Sequence, residues 1–349
     1  MAVGANSYEG YGSYLAVGRE TTYGTYNTST AGLEFASAGM KTIQESKTLE
    51  QVETSRTYSK SIRLGKVISG EIAGYVYAQD AAFNYLLQNA MGGTITSATA
   101  TGETAGGLAF THTYTIGDMN NSYTSLCINM RKGQTSGGFV FQYSGVRVNE
   151  FTFNAEIDDA VKFNASVMGK DATQTSNDVA SVLVANCDEP LNFLSGRVSV
   201  VSGTIGAATT TAFWHVQSAE FGLGNALKGE AEARRIGSDT VDVMPVGIAT
   251  FPLTLTMRFD TTTAYDGMLA DTDFAVELEF LASTITGSVI RRGMKLKYPT
   301  VKISEAGDPE IGGPDGILTS SVVFNVLRDC NTTTGYAMQM EMTNETSAY

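Results

Sequence analysis

The sequence predicts a mainly β protein: two tandem β-rich units, each with one short flanking α-helix and one long projecting hairpin. Three observations predict it. Apolar and polar residues alternate over many short runs, a strand-then-helix pattern occurs twice, and Gly, Ser and Thr punctuate the runs.

The clearest pattern is Ser61 to Met91, SIRLGKVISGEIAGYVYAQDAAFNYLLQNAM. Ile62, Leu64, Val67, Ile68, Ile72 and Val76 give a strand signal, with Tyr75 and Tyr77 on the other parity. Asp80 is placed to cap a helix by accepting a backbone N–H bond. Ala82, Phe83, Leu86, Leu87 and Ala90 then form one apolar stripe, and Gly92-Gly93 ends it. So short a helix needs a sheet to lie on.

The pattern returns more loosely from Gly247 to Ala270. Phe251, Leu253, Leu255, Met257 and Phe259 alternate with polar residues, and Asp260 is the cap candidate before TTTAYDGMLA. Phe83 falls on Tyr265 and Leu87 on Leu269, 182 positions on (265 − 83). QYSGVRV at Gln142 resembles KYPTVKI at Lys297, with Tyr143 on Tyr298 at an offset of 155 (298 − 143). AVKFNASVMGKD at Ala160 resembles LTSSVVFNVLRD at Leu318, offset 158 (318 − 160). Three matches in one order predict a duplicated unit. The division expected is an N-terminal arm over residues 1–32, a first domain over 33–176 and a second over 177–349.

A chain of 349 residues suits about two domains. Hydrophobic residues at 42% allow a sizeable core, while charged residues are only 17%. The net charge of −13 argues against binding nucleic acid or anionic membranes. Cys127, Cys187 and Cys330 are odd in number and form no CxxC clip, which predicts free thiols in a reducing compartment. MAVGANSYEG has no basic n-region or apolar h-region, so no signal peptide is expected, and no run reaches membrane-span length. Synthesis and assembly in cytosol follow as the expectation.

Taken in order, Ala2 to Gly32 lacks a period and reads as a tyrosine-rich arm, either on the surface or ordered against a neighbouring subunit. Leu33 to Tyr58 reads as a strand and then a charged ribbon, turning at Ser59-Lys60 to form a long hairpin with Ile62 to Tyr77. Val216 to Val241 is the matching ribbon of the second unit. Exposed ribbons of this kind imply a partner, since an unpaired edge invites association. Gly93 to Thr113 is low in complexity and predicts a surface excursion. Tyr114 to Met130, Gly137 to Phe153 and Ala155 to Met168 are strand patterns, and TQTSN at Thr173 is the linker. In the second unit Phe274 to Phe280 and Thr284 to Ile290 read as strands, with Arg291-Arg292-Gly293 a turn. Ala337 to Thr343 reads as a terminal strand that adds to its own edge or a neighbour's.

The search for chemistry yields no catalytic, cofactor-binding or metal-ligating residue. His112 and His215 sit in no catalytic consensus and read as structural. GLGNAL at Gly222 lacks the third glycine of a dinucleotide loop. Asp308, Glu310 and Asp315 lack calcium-loop spacing. Arg234-Arg235 and Arg291-Arg292 are too small for a nucleic-acid patch and predict subunit salt bridges or solvated faces. An enzyme is not expected, because no acid, base and nucleophile set assembles.

VQSAEFGLGNALKGEAEARR followed by FPLTLTMRFDTTTAYDGML, with VRVNEFTFNAEIDDAVKFNASVMGKD and PLNFLSGRVSV, resembles the major tail tube proteins of long-tailed, siphovirus-like bacteriophages. The resemblance covers about Ser13 to Asp329 and implies tail-tube-like β-sandwich or barrel domains with a flanking helix. It implies a virion protein of the phage tail whose domains ring together into a continuous inner barrel, with hairpins docking on the next ring. Six domains per ring and two per chain imply a homotrimer. Further implications are a lumen through which DNA passes without specific binding, and partners among the tape measure, terminator and distal tail proteins. No cofactor and no membrane are implied. Another tail component (distal tail, baseplate or terminator) remains open, as does a β-rich carbohydrate-binding adhesin, for which Trp214 alone is a poor aromatic platform.

Overall fold

The computed structural model describes residues 10, 12–50, 57–93, 95–103, 107–117, 125–133, 139–176, 178–179, 188–202, 214–229, 233–307, 317–329 and 335–349. In the first half the strands are β1 (Tyr14–Arg19), β2 (Ala31–Leu33), β3 (Ser37–Ala38), β4 (Lys41–Thr48) and β5 (Ser61–Tyr75). Helix α1 (Ala81–Met91) follows, then β6 (Ile95–Thr99), β7 (Phe110–Thr115), β8 (Leu126–Lys132), β9 (Phe139–Glu156), β10 (Lys162–Gly169) and β11 (Asp171–Thr175). The second half has β12 (Gly196–Ser202), β13 (Val216–Gly224), β14 (Leu253–Arg258), α2 (Thr263–Leu269), β15 (Asp273–Thr284), β16 (Arg291–Ala306), β17 (Thr319–Leu327) and β18 (Gln339–Asn344).

All these strands join one antiparallel network. Its spine runs β4–β5–β10–β9–β13–β14–β17–β16–β15–β12. The two longest strands, β9 and β16, each carry further strands on their N-terminal halves. On β9 these are β2–β1–β8 and β11. On β16 it is β18, which also pairs β7 and through it β6.

The halves repeat one wiring. β5–β10–β9 with α1 matches β14–β17–β16 with α2, β8 matches β15, β1 matches β12, and β11 matches β18. Tyr143 and Tyr298 are both buried, so the offset of 155 carries like faces onto like. The offset of 182 does not. Phe83 and Leu87 are buried, whereas Tyr265 and Leu269 are exposed, and α2 instead buries Ala264 and Gly267. Helix stripes follow packing, and Phe274 lies where a side chain at Gly267 would go.

The core is one apolar cluster spanning both halves. Phe83 on α1 meets Phe151, Phe153 and Phe163 edge-on at 5.8, 6.3 and 5.2 Å. Phe153 stacks on Phe221, and Phe221 on Phe280, which carries the aromatic row across the junction of the halves. Asp80 caps α1 through Phe83 N–H at 3.0 Å, and Gly92 closes it at φ 65°. Asp260 caps nothing; it pairs with His215, and α2 has Thr262 at its N-cap without a side-chain bond.

Several expectations change. The N-terminal stretch is not all arm: from Tyr14 it forms β1, buried and paired with β8, because YLAV supplies apolar residues on both faces. The expected linker residues Thr173 to Thr175 belong to β11, an edge strand on β9. GTITSATATGETAGGLAFTHT holds the hairpin of β6 and β7, and β7 joins the C-terminal strand β18. The expected strand at Thr284 to Ile290 is a reversal with Gly287 at φ 82°, and Arg291 to Gly293 begin β16. The Arg291 guanidinium donates to the Ala282 carbonyl at 2.8 Å, so both arginines brace the hairpin. Residues 1–9, Cys187, Cys330, Asp308, Glu310 and Asp315 lie outside the described residues.

Two comparisons test this packing. Tyr143 OH donates to the Met40 carbonyl at 3.3 Å, whereas buried Tyr298 OH has no protein partner. Tyr143→Phe should cost about 1 kcal/mol in urea unfolding, and Tyr298→Phe should cost nothing or stabilise, since it removes an unsatisfied group. Burial pushes the Asp80 carboxyl up to about 6 against the N–H bonds of Phe83 and Ala82, with Glu34 adding repulsion. The folded state therefore holds this proton more tightly, so the group favours folding increasingly as pH falls from about 6 toward 4. Asp80→Asn keeps the cap, and the wild type should gain stability relative to it between pH 7 and pH 5 in thermal unfolding.

Candidate assembly surface

Strand pairing puts directly opposite residues on one face. One such row is Tyr75, Lys162, Asn154, Glu220, Thr254 and Val323, which crosses six strands from β5 to β17. Glu156, Ser218, Thr256 and Ser321 form a second row, and Ala73, Asn164, Thr152 and Gly222 a third. Glu71, Ser166, Glu150 and Gly224 make a fourth. The opposite parity is Ile72, Phe163, Phe153, Phe221, Leu253 and Val322, all in the core. One face of the spine is thus an apolar floor. The other is a broad field of Ser, Thr, Asn and Gly on which Glu71, Glu150, Glu156 and Glu220 are exposed against Lys162 and Arg258. Lys162 is itself paired with Asp159.

A charged block stands at one end of this sheet. The β4–β5 hairpin is exposed along the whole of β4, and Ile43, Ile62 and Leu64 are open to solvent. Among the described residues the second ribbon makes no matching hairpin. Val216 to Gly224 is β13, inside the spine, and the chain after it folds back, with Lys228 N–H donating to the Pro245 carbonyl at 2.8 Å. This loop buttresses the first hairpin. Arg234 reaches Glu45 at 2.9 Å and the Lys66 carbonyl at 3.0 Å, and Lys66 N–H reaches the Asp239 carbonyl at 2.8 Å. Arg234 crosses directly over Gly65, where an added Cβ would lie 2.4 Å from the guanidinium carbon. Arg235 pairs with Asp242, and Arg292 with Glu345 and Asp188. Arg234, Arg235 and Arg292 therefore serve ion pairs within the chain, while Arg291 donates to the Ala282 carbonyl and Ser195 Oγ.

The remaining sequence candidates are structural. His112 is buried, its ring bonded to Ser97 at 2.8 Å and Asn344 at 3.1 Å, with its pKa lowered by burial. Tyr349 packs on it at 4.6 Å and accepts from Asn84 at 3.0 Å, tying the last strand to α1. Gly222 and Gly224 lie in β13, so GLGNAL makes no phosphate loop. Trp214 packs on Phe274 and Phe324, which removes it as a carbohydrate platform. Cys127 is a buried free thiol. Among the described residues no three His, Cys, Asp or Glu side chains cluster for a metal, and no helix is long and apolar enough to cross a membrane.

Among the described residues the sheet has one apolar and one polar face, and its exposed edge at β4 is of the kind that pairs with another chain. The sequence profile described as phage tail tube protein matches residues 10–326, and the chain belongs to that family. It is thus a structural component of a phage tail and of the virion. No curated protein matches it.

The exposed apolar residues of the hairpin give a direct test. Ile62→Asp with Leu64→Asp should leave unfolding within about 0.5 kcal/mol of the wild type, as surface changes do. The same variant should fail to self-associate in sedimentation velocity, and unchanged association would remove the hairpin from the contact.

Proposed function

We propose that the protein polymerises as stacked trimeric, pseudo-hexameric rings into the tail tube of a siphovirus-like phage, the conduit for DNA ejection into the host. The observation that carries this reading is the polar face of the spine, six strands wide, on which Glu71, Glu150, Glu156 and Glu220 are exposed and no described element lies. The units 33–176 and 177–349 act as two ring positions in this reading. Their polar faces line the lumen, and the β4–β5 hairpin meets the next ring.

Electrostatics supports the lumen assignment. A DNA-binding surface neutralises phosphates with Lys and Arg and releases counterions. This face carries four exposed acids against Lys162 and Arg258, so phosphate gains little by contact and slides. Tape measure, terminator and distal tail proteins are the partners of this reading, and assembly takes place in the host cytoplasm.

Negative-stain microscopy of the purified protein is the primary test. Filaments or stacked rings with a central hole support the reading, and monodisperse monomers at high concentration reject it. Reversing Glu71, Glu150 and Glu220 to Lys together should leave tubes intact but slow genome passage, read as delayed potassium efflux or reduced plating. Unchanged ejection would refute the lumen assignment.

A further inference from the structure

The β4–β5 hairpin bends at one point, and that point is held from the other half of the chain. Up to Gln44 opposite Lys66 the two strands keep one register, and from Ser46 opposite Arg63 they keep another. Glu45 alone therefore faces Leu64 and Gly65, a β-bulge that bends the strand carrying the extra residue. Gln44 Nε2 holds the bulge by donating to the Leu64 carbonyl at 2.7 Å and the Gly65 carbonyl at 3.3 Å. Burial changes at the same place: Ser61 to Leu64 are exposed, whereas Gly65 to Val67 are half-buried. β10 pairs β5 only from Ile68 onward, so it does not cover the hairpin arms beyond the bulge.

Residues 233–244 of the second half reach that point. The Arg234 guanidinium bridges Glu45 at 2.9 Å on one strand and the Lys66 carbonyl at 3.0 Å on the other, with its side chain only 12% exposed. Gly65 leaves it room, since an added Cβ would lie 2.4 Å from the guanidinium carbon. The Asp239 carbonyl accepts from Lys66 N–H at 2.8 Å, and its carboxylate stands 3.5 Å from Arg63. Among the described residues, the bonds from residues 45–48 and 61–64 to the chain outside the hairpin are those of Glu45 and Arg63. The Arg63–Asp239 pair is exposed on both sides and is worth little, so Arg234 carries the hold. The footing of this loop is small. Ala233, Val241 and Met244 make a three-residue core against Met168, Arg147 donates to the Met244 carbonyl at 2.9 Å, and Ile236 and Val243 are exposed. A unit with so few apolar contacts is of the kind that opens locally while the core stays folded.

We infer that residues 233–244 are a clamp and that Arg234 is the positioning residue that fixes the direction in which the β4–β5 hairpin leaves the sheet. With the guanidinium seated on Gly65 the bulge is locked. With it withdrawn the outer arms swing about Gln44 and Gly65 while both halves stay folded, because a hinge needs only a few residues to absorb the change. The hairpin belongs to the first half and its lock to the second, so the second half sets where the exposed Ile62 and Leu64 point. The inference concerns the single chain and does not depend on what the hairpin meets.

The test is a pulsed electron–electron distance measurement on the full chain, with Cys187 and Cys330 changed to Ser and the buried Cys127 left in place. Nitroxides go on Lys47→Cys, beyond the bulge, and Asn154→Cys, on β9 in the spine, both exposed positions. Labelled protein is diluted into unlabelled protein so that only distances within one chain are read. The parent should give one narrow distribution. Arg234→Met keeps the apolar stem, and Gly65→Ala evicts the guanidinium without removing it. Each should broaden the distribution about twofold with the thermal unfolding midpoint unchanged. The double variant should be no broader than either single one, because both changes remove the same contact. A folded single variant that keeps the parent's width would overturn the inference. So would a broad distribution in the parent, or broadening in the double variant equal to the sum of the two. The two substitutions lie in different halves, so a folding defect in one leaves the other to decide.

Discussion

The fold depends on strand β9 belonging to two layers at once. At about 3.3 Å per residue, an 18-residue strand is roughly 60 Å long. Its first half pairs β8 and β11, and its second half pairs β10 and β13. The change of layer comes at Gly145, in the left-handed region at φ 62°, where an added Cβ would lie 2.6 Å from the Lys170 side chain. Glu20 secures that corner: buried, it accepts from the Gly145 and Gly24 N–H groups at 2.8 Å each and from Ser125. Burial raises its pKa while those three donors oppose the rise. A carboxylate so enclosed is tolerable because its oxygens are satisfied, and the loop after β1 is thereby held on β9.

With β9 in place, alternation does most of the remaining work. Residues of one parity on β5, β10, β9, β13, β14 and β17 supply the aromatic and aliphatic floor on which α1 lies. Residues of the other parity have no packing duty and are free to be Ser, Thr, Asn or Glu. A one-residue slip in any ladder would exchange the two sets, so the apolar parity also fixes the register of the polar face. The stability of the monomer and the chemistry of its open surface are therefore set by the same strands and by different residues.

This explains what the sequence made legible. Strong alternation in EIAGYV, FAVELEF and FPLTLTMRF, and the capped stripe from Asp80 to Gly92, identify elements whose cause is local. The misread stretches have non-local causes. β11 and β6 are edge strands with little burial, so polar composition alone reads as linker or loop. β1 is buried on both faces and shows no alternation. The second ribbon resembles the first in charge, yet β13 is captured by β9, a strand sixty or more positions away (216 − 156), which removes the hairpin that composition suggests. The polar face itself was invisible as a site because it is assembled by register across six strands, and no single segment carries it.

The two halves share wiring but differ in how their helices and ribbons pack. α1 touches both layers and is buried almost all round, while α2 packs chiefly on β16 and leaves Tyr265 and Leu269 exposed. The first half spends its ribbon on a free hairpin; the second folds its own back through Arg234 and Asp239 to stiffen the base of that hairpin. Two identical domains would offer identical edges, and nothing would distinguish a junction within the chain from one between chains. Covalent linkage makes the β9–β13 junction at an effective concentration no partner chain can match, so it forms as part of folding. Any equivalent contact between copies has to wait for them to meet.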